Sequence, residues 1–188
     1  MKSHARVVVI GGGVVGVSTL YHLAKKGWSD VVLVERKELT SGSTWHAAGL
    51  LPLFNMSYSV GQIHKYSVKF YQELQEETGM DVGFRNVSNI RLASNQDRMD
   101  EFRQYAGVAS TIGVQVDFLT PEQVLDCWPM ANVDGLVGAV RHPQDGYIQP
   151  ADLTQALARG ARDRGAEIYR NTAVTAITRS VDGLWNVS

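Results

Sequence analysis

Arg6-Val7-Val8-Val9-Ile10-Gly11-Gly12-Gly13-Val14-Val15-Gly16 is the stretch whose reading decides the fold. Its first half is a β-branched run, the composition of a strand buried on both faces of a parallel sheet. Its second half matches G-x-G-x-x-G, a weak pattern when it stands alone. The flanking sequence supplies the context the pattern needs. Val14 to Lys26 reads as a helix, with Val17, Leu20, Leu23 and Ala24 on one face and Gly27 just past its end. Val31-Val32-Leu33-Val34 is then a second buried strand, and it ends on an acid, Glu35. The whole is a β-α-β unit.

Such a unit binds a dinucleotide for direct physical reasons. Gly11 lets the chain turn tightly, Gly13 lets backbone approach a pyrophosphate, and Gly16 lets helix and strand pack closely. The helix then opens at Val14 and Val15, where free N–H groups and the positive end of the helix dipole face the phosphates. Glu35 would accept hydrogen bonds from the adenosine ribose hydroxyls, which disfavours a 2′-phosphate and so NADP. Between NAD and FAD this loop does not decide. Leu20 stands where such fingerprints often carry Ala or Gly, so slightly looser helix–strand packing is expected.

Composition narrows the remaining classes. The chain has 188 residues, 44% of them hydrophobic, which suits one domain or a piece of a larger protein. Net charge is -1 with a pI near 6.5, so no basic surplus drives binding to nucleic acid or anionic lipid. The lone cysteine, Cys127, excludes an internal disulfide and a thiolate zinc cage, and beside Trp128 and Pro129 it reads as buried filler. Only Met1 to Arg6 precede the first strand, too little for a targeting segment, and the longest apolar run, Val7 to Ser18, is broken by four glycines. The expectation is a cytoplasmic protein with no membrane partner.

Beyond the first unit, Ser59 to Thr78 is expected to be a helix with Ile63, Tyr66, Phe70 and Leu74 inward. Phe84 to Ala93 reads as a strand, Gln96 to Ile112 as a helix, and Val114 to Leu119 as a strand. Thr120-Pro121-Glu122-Gln123 carries the signals of a helix start. Leu136 to Arg141 is a strand, Asp145-Gly146 a turn, and Pro150 to about Arg164 a helix. Glu167 to Tyr169 and Ala173 to Thr178 are strands, and Asp182-Gly183 turns into Leu184 to Val187. A hairpin ending at Ser188 with its edge uncovered suggests the N-terminal part of a longer chain.

The segment from Glu35-Arg36 to Leu50 chooses between the two dinucleotides. In an NAD domain the second strand normally leads to another crossover helix. Here it leads to Ser41-Gly42-Ser43-Thr44-Trp45-His46-Ala47-Ala48-Gly49-Leu50, whose small residues let backbone lie against a flat ring. The hydroxyls of Ser43 and Thr44 can reach phosphate oxygens. FAD is the better fit.

At these residues the sequence resembles the dimethylglycine and sarcosine dehydrogenases, within the D-amino-acid-oxidase-like flavoproteins. The similarity extends over essentially the whole chain. It is carried by Ile10 to Gly16, Tyr21-His22-Leu23-Ala24-Lys25, Val32 to Glu35 and above all Ser43-Thr44-Trp45-His46-Ala47-Ala48-Gly49. It continues through Glu76-Glu77-Thr78-Gly79, Ile90-Arg91-Leu92-Ala93, Asp145-Gly146 with Pro150, and Ala158 to Ala161. Gln149 departs from the acid expected before Pro150. The resemblance implies that His46 is bonded through a ring nitrogen to the 8α-methyl of FAD, a link expected to raise the flavin potential. A bare sequence could not reveal such a bond, because a lone histidine near a cofactor loop is usually a hydrogen-bonding side chain.

The resemblance also implies the reaction. A hydride passes from the N-methyl group of a small-molecule amine to flavin N5, and the resulting iminium hydrolyses to formaldehyde or is captured by tetrahydrofolate held in a region outside this chain. Electrons leave to an electron-transfer flavoprotein or to oxygen. The catalytic acid or base is unknown. The implied fold is α/β, a Rossmann-like FAD-binding domain formed by residues 1–82 and 147–188 and incomplete at its C-terminus. The inserted, mostly β substrate domain begins in residues 83–146. Position in these folds suggests that Val174, at the start of a strand, lends backbone to the adenine.

Other residues are weaker candidates. His22 and His64 lie on helices as surface or satisfied core groups, His142 precedes Pro143 in a turn, and no histidine pair has metal-ligand spacing. Tyr66, Phe70 and Tyr71 read as helix packing. Arg91 faces either a substrate carboxylate or solvent. Two rival functions remain open, a non-catalytic flavin-binding regulatory relative and an NAD-dependent dehydrogenase.

Overall fold

The computed structural model describes residues 1–188. In chain order the elements are β1 (Val7–Ile10), α1 (Val14–Lys25), β2 (Val31–Val34), a 3-10 turn (Ser43–His46), β3 (Leu50–Leu51), α2 (Tyr58–Thr78), β4 (Arg85–Asn86), β5 (Asn89–Ala93) and α3 (Gln96–Ile112). They continue as β6 (Asp117–Leu119), α4 (Pro121–Cys127), β7 (Gly138–His142), β8 (Gly146–Tyr147), α5 (Pro150–Arg162), β9 (Glu167–Tyr169), β10 (Ile177–Arg179) and β11 (Trp185–Val187). Two compact units result. One is Met1–Gly49 with Glu73–Gly83 and Gln149–Ser188; the other is Leu50–Gln72 with Phe84–Ile148. Residues 50–72 therefore pack with the second unit, although the sequence had grouped them with the first. No helix is long and apolar enough to cross a membrane.

The first unit is built on a parallel sheet of order β1-β2-β9. Every residue of β2 is buried, as its unbroken Val-Val-Leu-Val run requires of a central strand. Helices α1 and α5 pack together. A Cβ at Gly160 would lie 2.7 Å from the Tyr21 ring, so glycine is what lets the two helices meet there. The Tyr21 hydroxyl donates to Glu77 at 2.7 Å, and the same carboxylate pairs with Arg164 at 2.9 Å and Lys25 at 3.3 Å. This carboxylate ties the end of α2 to both helices.

In the second unit an antiparallel sheet, β5-β7-β6, carries α3 on one face and α4 on the other. Ala93, Met99, Phe102 and Val140 form one core cluster, and Leu53, Tyr105, Ala109, Ile112 and Val114 another. Asn95 caps α3 by accepting from Arg98 N–H, and Gly113 ends it in the left-handed region. Thr120 and Gln123 form the reciprocal capping box of α4, with Pro121 in its first turn.

Several expectations change. The strand expected over Phe84 to Ala93 breaks in two, because Ser88 adopts φ 62° and donates its N–H to the Asp145 carbonyl. The turn after β7 falls at Pro143-Gln144, two residues before Asp145-Gly146, and Gly146 is instead paired in β8. The strand expected from Val114 starts at Asp117. On α2 the stripe is buried only at Phe70 and Leu74, while Ile63 and Tyr66 are 62% and 58% exposed. Cys127 is not buried filler. It is the last residue of α4 and exposed, with Sγ 3.5 Å from the Arg141 guanidinium, whereas Val124 takes the inward position of that short helix.

His142 and Asp145 are both fully buried in the second unit. Burial, reinforced by the Arg91 charge, pushes the His142 imidazole down to about 4. Burial likewise raises the Asp145 carboxyl to about 6, against the Leu53 N–H and the Arg91 and His64 charges. The two effects on stability have opposite signs. A depressed His142 contributes stability above its ordinary 6.5 that is lost as pH falls through 4. A raised Asp145 contributes stability below its ordinary 3.8 that is lost as pH rises through 6. Each amounts to about 3 kcal/mol, so between pH 4 and 6 they nearly cancel. Chemical denaturation of Asp145→Asn across this window is expected to reveal stability falling as pH drops. His142→Gln is expected to give the reverse slope; parallel slopes in the two variants would refute the pairing.

Candidate cofactor site

The site begins where β1 hands over to α1. Gly11 adopts φ 111°, a conformation closed to most residues, and its N–H donates to the Val34 carbonyl at 2.9 Å. Gly16 lies one helical turn later, and a Cβ there would come within 2.0 Å of the Gly11 carbonyl oxygen. Strand and helix are thus as close as backbone permits. A Cβ on Gly13 would meet only the Thr44 hydroxyl, at 3.1 Å.

Glu35, at the end of β2, uses both carboxylate oxygens on backbone. Gly12 N–H donates to one at 2.6 Å, and Lys37 N–H to the other at 2.8 Å. The acid is therefore fixed against the glycine loop, and Arg36 beside it is exposed. The segment after β2 then folds back on that loop. Leu39 is buried, its Cδ2 2.6 Å from where a Gly12 Cβ would sit, and Thr40 N–H donates to the Gly12 carbonyl at 3.0 Å. Gly12, Leu39 and Thr40 shape the site without having been singled out from sequence. The signals were a third glycine in the run and an apolar residue within an otherwise polar loop.

The 3-10 turn completes the arrangement. Thr44 is buried, and its hydroxyl accepts from Val14 N–H at 2.9 Å, at the mouth of α1, where Gly13 offers no side-chain cap. Ser43, Trp45, His46 and Ala47 are exposed around it, Trp45 to 70%. Two backbone bonds hold the turn, Trp45 N–H to the Thr40 carbonyl and Ala47 N–H to the Thr44 carbonyl. Val15 is 77% exposed at the same helix mouth. Gly11, Gly13, Val14, Val15, Gly16, Glu35, Ser43, Thr44 and His46 thus belong to one neighbourhood, closed by Gly49 at φ 73°. Leu50 lies in β3 of the second unit, 67% exposed.

Val174 does not start a strand; β10 begins at Ile177. Asn171 N–H and Thr172 N–H bond the Lys37 and Glu35 carbonyls, which diverts the chain from the sheet. Thr172, Ala173 and Val174 line a cavity of about 1100 Å³ with Ile10 and Val34. Arg91 faces the α3 side of its sheet, its guanidinium 4.1 Å above the Phe54 ring. His64 Nδ1 lies 2.9 Å from the Pro52 carbonyl, so it carries the proton and is a satisfied structural group.

A glycine cradle, a strand-end acid on backbone and a hydroxyl at the helix mouth define a Rossmann-type dinucleotide-binding protein. The residues fit the pyrophosphate, since a Cβ at Gly13 would meet only the short Thr44 hydroxyl and the α1 N-terminus carries no capping side chain of its own. The chain belongs to the family of FAD dependent oxidoreductases, whose pattern matches residues 6–188. It is 44% identical to the mitochondrial dimethylglycine dehydrogenase of Rattus norvegicus over 99% of this chain and 22% of that protein. It is 42% identical to the mitochondrial sarcosine dehydrogenase of Homo sapiens over 94% of this chain and 19% of that one. Among solved structures, L-proline dehydrogenase from P. horikoshii superposes with a TM-score of 0.89 at 26% identity, over 97% of this chain and 48% of that one. The chain spans about a fifth of the length of the two curated relatives.

Proposed function

We propose that this chain is the FAD-holding part of an enzyme that oxidises an N-methyl amine such as dimethylglycine or sarcosine, with FAD joined covalently to His46. The observation that carries the reading is the folding of the Ser43–His46 turn onto the glycine loop. It sets the Thr44 hydroxyl at the mouth of α1 and leaves His46 exposed beside it. A crossover helix in that place, as in an NAD domain, would leave no such histidine. The relatives support the choice of amine through their names.

In this reading the first unit is the FAD-binding domain and the second begins the substrate domain. Glu35 takes the ribose hydroxyls, with Arg36 next to it. The Val15 N–H and the hydroxyls of Ser43 and Thr44 take the pyrophosphate, with Thr44 held in place by its bond from Val14 N–H, while Gly13 and Gly16 keep the approach open. Ala47, Gly49 and Leu50 line the flavin side, and Val174 offers backbone to the adenine. Bound FAD would supply a hydride acceptor; the chain supplies orientation and excludes the wrong geometry. Electrons would pass to an electron-transfer flavoprotein or to oxygen, and tetrahydrofolate would capture the one-carbon product in another part of the enzyme.

The test is anaerobic addition of dimethylglycine or sarcosine to the intact protein. Bleaching of the flavin colour together with stoichiometric formaldehyde is the expected result. Bound flavin that neither amine reduces would turn the reading to a non-catalytic flavin-binding regulatory relative. A colourless protein would overturn the reading of this chain as the part that holds FAD.

A further inference from the structure

Around the β5–β7 ladder the fold buries five side-chain atoms that find no partner: Asn89 Oδ1, Arg91 Nε, both ring nitrogens of His142 and Asp145 Oδ2. Asn89 and His142 are directly opposed across the ladder, and Arg91 lies two residues along β5 on the same face. Phe54 ties the group together. Its ring lies 4.1 Å below the Arg91 guanidinium, edge-on to His142 at 5.8 Å and stacked on Tyr105 at 4.0 Å. Asp145 joins from the loop after β7, where its other oxygen accepts from Leu53 N–H at 2.9 Å. Tyr105, from α3, donates to the Leu53 carbonyl at 3.3 Å.

Leaving such atoms dry would cost about 1–3 kcal/mol for each. Five together would rival the whole stability of an ordinary domain, about 5–15 kcal/mol. Buried polar groups in native proteins are instead satisfied, by protein or by ordered water. A cavity of about 250 Å³, lined by Phe54, Arg91, Leu92, Arg98, Glu101 and Phe102, reaches Arg91 at the edge of this group.

We propose that these atoms line an internal hydration site holding at least two ordered water molecules. The number follows from the chemistry. Asn89 Oδ1, Asp145 Oδ2 and one nitrogen of a neutral His142 are acceptors, so three water hydrogens are needed. One water carries two. Arg91 Nε and the other His142 nitrogen are donors, which the water oxygens accept. Because water can turn, the same molecules serve either protonation state of Asp145. The charged or titratable groups that act on this place are Arg91 from β5, Asp117 from β6, His64 from α2 and Tyr105 from α3.

A high-resolution crystal structure of the intact protein tests this. At least two waters within about 3.2 Å of these atoms, as well ordered as the side chains around them, are expected. A dry space, a single water, or direct bonds among the four side chains would overturn it. His142→Phe keeps the aromatic contacts with Phe54 and Tyr105 but deletes two partners, and the loss of at least one water is expected. An unchanged water set in that variant would count against the site, and if the variant does not fold, the wild-type structure decides alone.

Discussion

His46→Ala protein, denatured and run on a gel, is expected to give a dark band where the wild-type band fluoresces with flavin. The argument begins with position. His46 closes the 3-10 turn that Trp45 and Ala47 fix by backbone bonds to Thr40 and Thr44, and those bonds do not involve the imidazole. The ring is exposed, so its removal leaves no cavity and no buried group without a partner. The glycine loop, Glu35 and Thr44 stay in place, and the native variant is therefore expected to purify yellow. Its flavin should then leave on denaturation, with a flavin-to-polypeptide ratio in the denatured band falling from near one to near zero. A band that still fluoresces would mean attachment elsewhere or through another residue. A wild-type band without fluorescence would keep FAD and remove the covalent bond.

Much of this site was legible because local sequence controls it. The β-branched runs Val7–Ile10 and Val31–Val34 have few other stable states, and the glycines between them are dictated by backbone approach and not by distant contacts. Thr44 could be picked from its hydroxyl and its place in the loop. Elements set by tertiary contacts were less legible. The break at Ser88 depends on a bond to Asp145, 57 positions away in the chain, which no window of local periodicity contains. Val174 was expected in a strand, but the bonds from Asn171 and Thr172 to the Glu35–Lys37 segment decide otherwise. Ile63 and Tyr66 have helical spacing without burial, since periodicity defines a face and not what covers it. His142 read as a turn residue and is a buried strand end, because the turn begins one residue later, at Pro143.

Gly16→Ala is expected to cost the protein both its cofactor and a large part of its stability. The added methyl carbon would sit 2.0 Å from the Gly11 oxygen and 3.2 Å from the Gly11 carbon, and both are backbone. No side chain can rotate away to make room. The Gly11 peptide cannot swing either, since its N–H is bonded to Val34 and its φ is already 111°. Helix α1 is held from behind by Val17, Leu20 and Tyr21, all fully buried. Either strand and helix move apart or the phosphate-facing turn is rebuilt, and both spoil the approach of a pyrophosphate to the α1 N-terminus. Overpacking of side chains costs about 1–3 kcal/mol, and a backbone clash lies at or above the top of that range. In a unit of this size that corresponds to a fall in Tm of roughly 12–24 °C. Gly107→Ala is the matched control, because nothing lies within 4 Å of its added carbon and its backbone is already helical, inside α3. Thermal stability and bound flavin should be at or slightly above wild type for Gly107→Ala and both reduced for Gly16→Ala. Equal flavin loading in the two variants would mean that the contact between Gly11 and Gly16 does not set the phosphate site.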